Sequence, residues 1–184
     1  MPGPAGRRRR RGVPSIVVVA SNCAAATLLG APAWAAPVET GDQPTPCWSE
    51  QVAVSASPAQ GAVGHRSLAL IFSLAGGAEP CTLTGYPGVD AGNGGPPLHA
   101  EPTPRGYMGG LPAGIDAPQP VTLSLSQQGQ AILEGMAVDA GGNPCPTYTD
   151  LAVSPPDIVQ VFTVPAGIDA CALQIHPITV GQSS

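Results

Sequence analysis

Lysine is absent from this chain of 184 residues, and beyond residue 35 its basic side chains are Arg66 and Arg105 alone. Against them stand all 12 acids, so residues 36–184 carry a formal charge of −10. Phosphate-backbone binding depends on clustered Lys and Arg, and attraction to anionic lipid depends on basic segments. That part of the chain has the material for neither. Aromatics are scarce too, at 4% of residues, so a core has to be assembled from small aliphatic side chains. Catalytic signatures are missing: there is no G-x-S-x-G elbow, no H-E-x-x-H and no phosphate-binding glycine loop. Cysteine knuckles of the C-x-x-C kind, which a structural zinc site normally shows, are missing as well.

Glycine and proline are plentiful, 24 and 23 residues. Between their clusters run short alternating apolar segments, the pattern of half-buried strands joined by turns. Val52 and Val54 alternate within 51–56; Leu68, Leu70, Phe72 and Leu74 mark a central strand over 67–74. Short strands are expected at 81–84, 121–125, 130–138, 151–154, 158–164 and 172–180. No window carries a capped amphipathic helix. About eight antiparallel strands at this spacing suggest an all-β, two-sheet sandwich with long Gly/Pro-rich loops.

The N-terminus has the three parts of a secretory signal. Arg7 to Arg11 form a basic region, Ile16 to Leu29 an uncharged stretch, and Ala33-Trp34-Ala35 a cleavage site. Pro14, Asn22, Gly30 and Pro32 make the same stretch a poor spanning helix. Residues 1–35 are therefore expected to be removed, leaving a flexible linker over 36–46, a domain over 47–181 and a tail over 182–184. Cys23 offers a second possibility, a lipid-anchored form, although Asn22 is not the small residue that should precede an acylated cysteine. Cys47, Cys81, Cys145 and Cys171 remain, an even number that reads as disulfides in an exported protein. Of the three possible pairings, Cys47–Cys81 with Cys145–Cys171 is favoured. It closes loops of about 34 and 26 residues, each contributing about 3–4 kcal/mol in the chain-entropy account.

The stretch from Ala91 to Gln119 is long for a loop in a small domain and therefore either functional or mobile. It holds His99, Arg105, Tyr107 and Met108, the densest group of chemically capable side chains in the chain, and is the candidate recognition loop. The hexapeptide P-A-G-I-D-A occurs at 112–117 and again at 165–170, which reads as recurring turn chemistry before a strand. His65-Arg66-Ser67 reads as a polar strand edge rather than as part of a catalytic triad. Metal binding is the rival to a binding role. His65, His99, His176, Met108 and Met136 suit copper, although none share a tight spacing, and His176 falls on the Gln174 face of its strand, where exposure is expected. Asp90 to Asn93 and Asp139 to Asn143 could suit calcium but are also ordinary turn sequences. No catalytic residue, metal ligand or cofactor is assigned.

With Cys47 opening the domain, Pro80-Cys81-Thr82-Leu83-Thr84-Gly85-Tyr86-Pro87-Gly88-Val89 resembles an actinobacterial exported family, domain of unknown function 4232. Val121 to Leu125 with Gly129-Gln130-Ala131, the late cysteine pair and Pro177 to Gly181 are similar to further elements of that family. The turn Ala75-Gly76-Gly77-Ala78 and the region 91–119 depart from it. The resemblance implies an immunoglobulin-like β-sandwich, secreted or lipid-anchored, and implies no reaction. Gly85, Tyr86, Pro87 and Gly88 are expected to build a structural corner, with the Tyr86 hydroxyl satisfying a backbone group. The expected role is a non-enzymatic binding or structural module, secreted or at the cell envelope, with an unknown envelope or extracellular partner and no nucleic-acid partner. An exported copper- or calcium-binding protein is the alternative.

Overall fold

The computed structural model describes residues 44–181. The expected signal peptide with Cys23, linker residues 36–43 and the tail 182–184 lie outside the described residues.

Among the described residues twelve strands follow one three-residue 3-10 turn at Ser49–Gln51. They are β1 (Val52–Ala56), β2 (Gln60–Ala62), β3 (His65–Leu74), β4 (Cys81–Leu83), β5 (Gly88–Ala91) and β6 (Leu98–Pro102). The second half supplies β7 (Val121–Leu123), β8 (Gly129–Met136), β9 (Thr147–Ser154), β10 (Phe162–Asp169), β11 (Leu173–Ile175) and β12 (Thr179–Val180). The all-β expectation holds: among the described residues there is no α-helix, and none is long and apolar enough to cross a membrane.

Ten strands form one sheet with the order β1-β3-β8-β11-β6-β5-β9-β10, while β2 attaches to β3 and β12 to β8. β4 and β7 pair separately. Among the named strands of the described residues, β11 with β6 is the one parallel pairing. The expected sandwich has two sheets, whereas here β6 bonds to β5 on one side and β11 on the other, making the sheet continuous. It curls until β10 lies against β1 without bonding to it, close to a barrel.

Period-two alternation builds the interior. Leu68, Leu70 and Phe72 of β3 point inward with Ala131 and Leu133 of β8 and Leu151 and Val153 of β9. Tyr148, fully buried, is the largest core side chain, and its hydroxyl donates to the Pro96 carbonyl at 2.6 Å. That bond resolves the polar end of a ring whose body is apolar. It is the role expected of Tyr86, which is only half-buried.

Disulfides join Cys47 to Cys81 and Cys145 to Cys171. The first anchors the lead-in, whose last residues are already tied down: Pro46 bridges Thr82, and the Thr82 amide donates to the Thr45 carbonyl. The two copies of the hexapeptide fold differently. Pro112 to Ile115 closes a turn, whereas Pro165 to Asp169 lies within β10 and bulges there. Recurring turn chemistry therefore describes the first copy alone.

Candidate functional site

Glu134 occupies the middle of the sheet on the face away from the core. Ala131 and Leu133 turn inward, so Ile132, Glu134 and Met136 project outward. Across β3 the outward neighbours are Ala69, Ser67 and His65, opposite Ile132, Glu134 and Met136 in that order. Across β11, Gln174 stands opposite Glu134. A glutamate at such a position is ordinarily solvated, yet Glu134 is only 4% exposed. What covers it is the segment from Thr103 to Leu111, here called the flap.

The flap leaves the end of β6 and crosses over β11 and β8. Its start is held by the Thr103 amide donating to the Ile175 carbonyl at 2.9 Å. It folds back on itself through Gly106 to Gly109 and Leu111 to Pro104 backbone bonds. Two glycines allow the close approach. A Cβ on Gly106 would lie 2.4 Å from Glu134 Oε2, and one on Gly109 would lie 2.6 Å from the Ile132 side chain. Neither distance is tolerable for a real side chain, so the flap sits this low only because both positions lack one.

The Glu134 carboxylate then receives three N–H groups and faces a fourth nitrogen. Oε1 accepts from His65 Nδ1 at 2.9 Å and from the Tyr107 amide at 3.2 Å. Oε2 accepts from the Met108 amide at 3.0 Å and faces His176 Nε2 at 3.3 Å. The other nitrogen of His176 lies 2.9 Å from the Thr103 carbonyl, and the ring is 1% exposed. His176 does lie on the Gln174 face, but the flap buries it, which corrects the expectation of exposure. Burial works to raise the Glu134 carboxyl. Bonds from Met108, His176, Tyr107 and His65 outweigh that effect and hold it below its ordinary value.

Tyr107 lays its ring on His65, with centroids 4.4 Å apart and planes 19° from parallel. Arg105 fastens the far side of the flap, donating to the carbonyls of Leu111, Pro112 and Ile115, with Asp116 at 3.4 Å. Three of the four residues singled out in the long loop are thus spent on holding it. The fourth, His99, lies on β6, where Nδ1 meets Asp90 at 2.8 Å.

His99 and Asp90 border an open cleft of about 530 Å³ over β5, β6, β9 and β10, with Asn93, Asp150 and Thr163. Asn93 Nδ2 donates to Asp150 Oδ2 at 2.7 Å. The other oxygen, Asp150 Oδ1, is buried and has no hydrogen-bond partner among the described residues. In the corner Gly85 to Gly88, Gly85 has a φ of 110° and its carbonyl accepts from the Ile178 amide at 2.9 Å. Pro87 is buried and Gly88 begins β5.

Ser67 stands opposite Glu134 and near His65, whose Nδ1 is bonded to Glu134; no bond links His65 to Ser67 among the described residues. The turn at Asp139 turns its carboxylate onto its own chain, accepting from the Gly141 and Asn143 amides and from the Asn143 side chain. Among the described residues no three His, Cys, Asp or Glu side chains are arranged to hold a metal ion. Glu134 and Asp150 both escaped the sequence reading. A single acid at an outward strand position looks solvated, and only Gly106 and Gly109 hint that something lies on top of it.

Residues 47–182 match the model of one protein family, described as Domain of unknown function (DUF4232). Neither a curated protein nor a solved structure matches the chain.

Proposed function

The chain belongs to the DUF4232 family, and from that premise we propose that it is a non-enzymatic binding module, secreted or held at the cell envelope after loss of residues 1–35. The fold is taken as an immunoglobulin-like sandwich whose two layers are joined through β6. Ligand contact is assigned to the cleft bordered by Asp90, Asn93, His99 and Asp150.

One observation carries this reading: Asp150 Oδ1 is buried at the cleft without a partner among the described residues. A buried acceptor left unmade costs about 1–3 kcal/mol, and a ligand donor reaching it would recover that cost. The complementary group bears N–H or O–H donors and is neutral or cationic, since Asp90 contributes a second carboxylate and the domain as a whole is acidic. Two disulfides support export, because such bonds persist in oxidising compartments.

The test uses protein recovered from the medium of its producing cells, with an intact mass beginning at Ala36 and four cysteines that resist alkylation until reduced. That protein is incubated with the isolated cell-wall fraction of the same cells and compared with its Asp150→Asn and His99→Gln variants. Retention by the wild type and a loss of at least tenfold in both variants support the assignment. Equal retention of all three, or none by the wild type, contradicts it.

A further inference from the structure

Beside the flap is a small pocket of about 90 Å³ lined by His65, Glu134, Gly135, Met136, Ala172 and Gln174. His65 and Met136 face each other directly across β3 and β8 and project from the same outer face. Directly opposed residues in such a pair hold their Cβ atoms about 4.5–5.5 Å apart, close enough for an imidazole and a thioether to share one small ion. Both are accessible, His65 with 25% of its side chain exposed and Met136 with 38%.

The ring of His65 is prepared for such a role. Glu134 already accepts amide protons from Tyr107 and Met108, so it is an acceptor, and Nδ1 of His65 must be the donor in the 2.9 Å bond. The ring lone pair then resides on Nε2. A histidine that ligates a metal through one nitrogen characteristically donates its other N–H to a carboxylate, which fixes its tautomer and orientation. Tyr107, stacked on the ring face, restrains the ring plane. Met136 is otherwise hard to account for: it is a flexible apolar side chain left open to solvent on a polar face. Besides the initiator, the chain has only Met108 and Met136.

We propose that His65 Nε2 and Met136 Sδ form a binding site for a soft monovalent metal ion, copper(I), with Glu134 orienting the imidazole from behind. A thioether selects copper(I) over zinc, magnesium or calcium. Two ligands on neighbouring strands suit the low coordination that copper(I) accepts, whereas zinc sites use three or four protein ligands. All four described cysteines are in disulfides, so no thiolate competes for the ion within the domain. The acidic charge of the domain draws cations towards its surface. The site is on β3 and β8, shares no residue with the Asp150 cleft and does not depend on it.

The experiment is an anaerobic titration of the disulfide-intact protein with copper(I) held by the chromophoric chelator ferrozine, in the presence of ascorbate. The wild type should withdraw one copper(I) per chain, and the Met136 methyl resonance should shift on binding. Met136→Leu, which conserves volume, should weaken binding at least tenfold while leaving the thermal midpoint unchanged. His65→Gln should weaken it comparably, and His99→Gln should not. Failure of the wild type to withdraw copper(I), or unaltered affinity in Met136→Leu, overturns the proposal. Because Met136→Leu leaves the flap's anchors intact, its result is readable even if His65→Gln fails to fold.

Discussion

Glu134 shows how one side chain on the solvent face of a sheet becomes a structural anchor. Its negative charge is met by three N–H groups drawn from β3 and the flap, with an imidazole nitrogen of the residue after β11 facing it at 3.3 Å. Charge-assisted bonds of this kind are stronger than neutral ones. Replacing the carboxylate by an amide turns one acceptor atom into a donor facing other donors. Glu134→Gln is therefore expected to lower stability at pH 7 by about 1.5–3 kcal/mol, read from urea denaturation. The pH dependence has a defined sign. The Glu134 carboxyl lies below its ordinary value in the folded state. Its contribution is complete above the unfolded value, near pH 4.3, and is lost as pH falls through the folded value. Asp139 and Asp169 are also lowered, by their bonds to Asn143 and to Thr147 with Arg66, so the wild type carries several such contributions. The variant should lose less stability than the wild type between pH 5 and pH 3; identical slopes would remove Glu134 from this account.

At the scale of elements, the hairpin from β2 to β3 turns on Val63-Gly64, with φ of 47° and 83°. Both residues are left-handed, the geometry that Asn-Gly adopts easily and a β-branched side chain resists. Val63 is also 87% exposed, so packing gives nothing in return. Val63→Asn should raise stability by about 1 kcal/mol, seen as a higher thermal midpoint; an unchanged or lower midpoint would argue against strain at this turn. How much of these elements was legible in the sequence follows from the same physics. β3 was readable because Leu68, Leu70 and Phe72 alternate over ten residues that pair on both sides. β5 and β6 were not: Gly88-Val89-Asp90-Ala91 and Leu98 to Pro102 hold few large apolar residues, and their pairing with β9 and β11 is what makes them strands. The repeated hexapeptide makes the point most directly. Ile168 is buried in β10, whereas Ile115, in the same six-residue context, is 38% exposed at a turn. Neighbours decide between the two, and neighbours are not visible in a local window. The sequential cysteine pairing favoured from the sequence is the one the structure contains, but the flap's anchor involves residues separated by 26 to 69 positions, beyond any spacing motif.

Across the whole molecule, the same shortage of aromatics that marks the sequence explains why the domain is stapled and tied rather than packed with large side chains. The core is mostly Leu, Val, Ile and Ala, with Phe72 and Tyr148 as its large fully buried rings. Two disulfides and one many-bonded carboxylate secure what such a core leaves loose. They act in different places: Cys47–Cys81 at the lead-in, Cys145–Cys171 where β9 begins and β11 approaches, and Glu134 at the flap. The glycine-rich stretch that could have been a mobile insertion is instead a strand followed by a pinned cover.

The most direct test of that account is amide hydrogen exchange of Tyr107 and Met108, followed in the wild type and in Glu134→Gln at neutral pH. If the carboxylate holds the flap, both amides exchange about as slowly as those of β8 in the wild type. In the variant they exchange at least tenfold faster, about 1.4 kcal/mol or more of local opening, while β8 stays protected. Rapid exchange of both amides in the wild type, at rates typical of an unbonded loop, would contradict it.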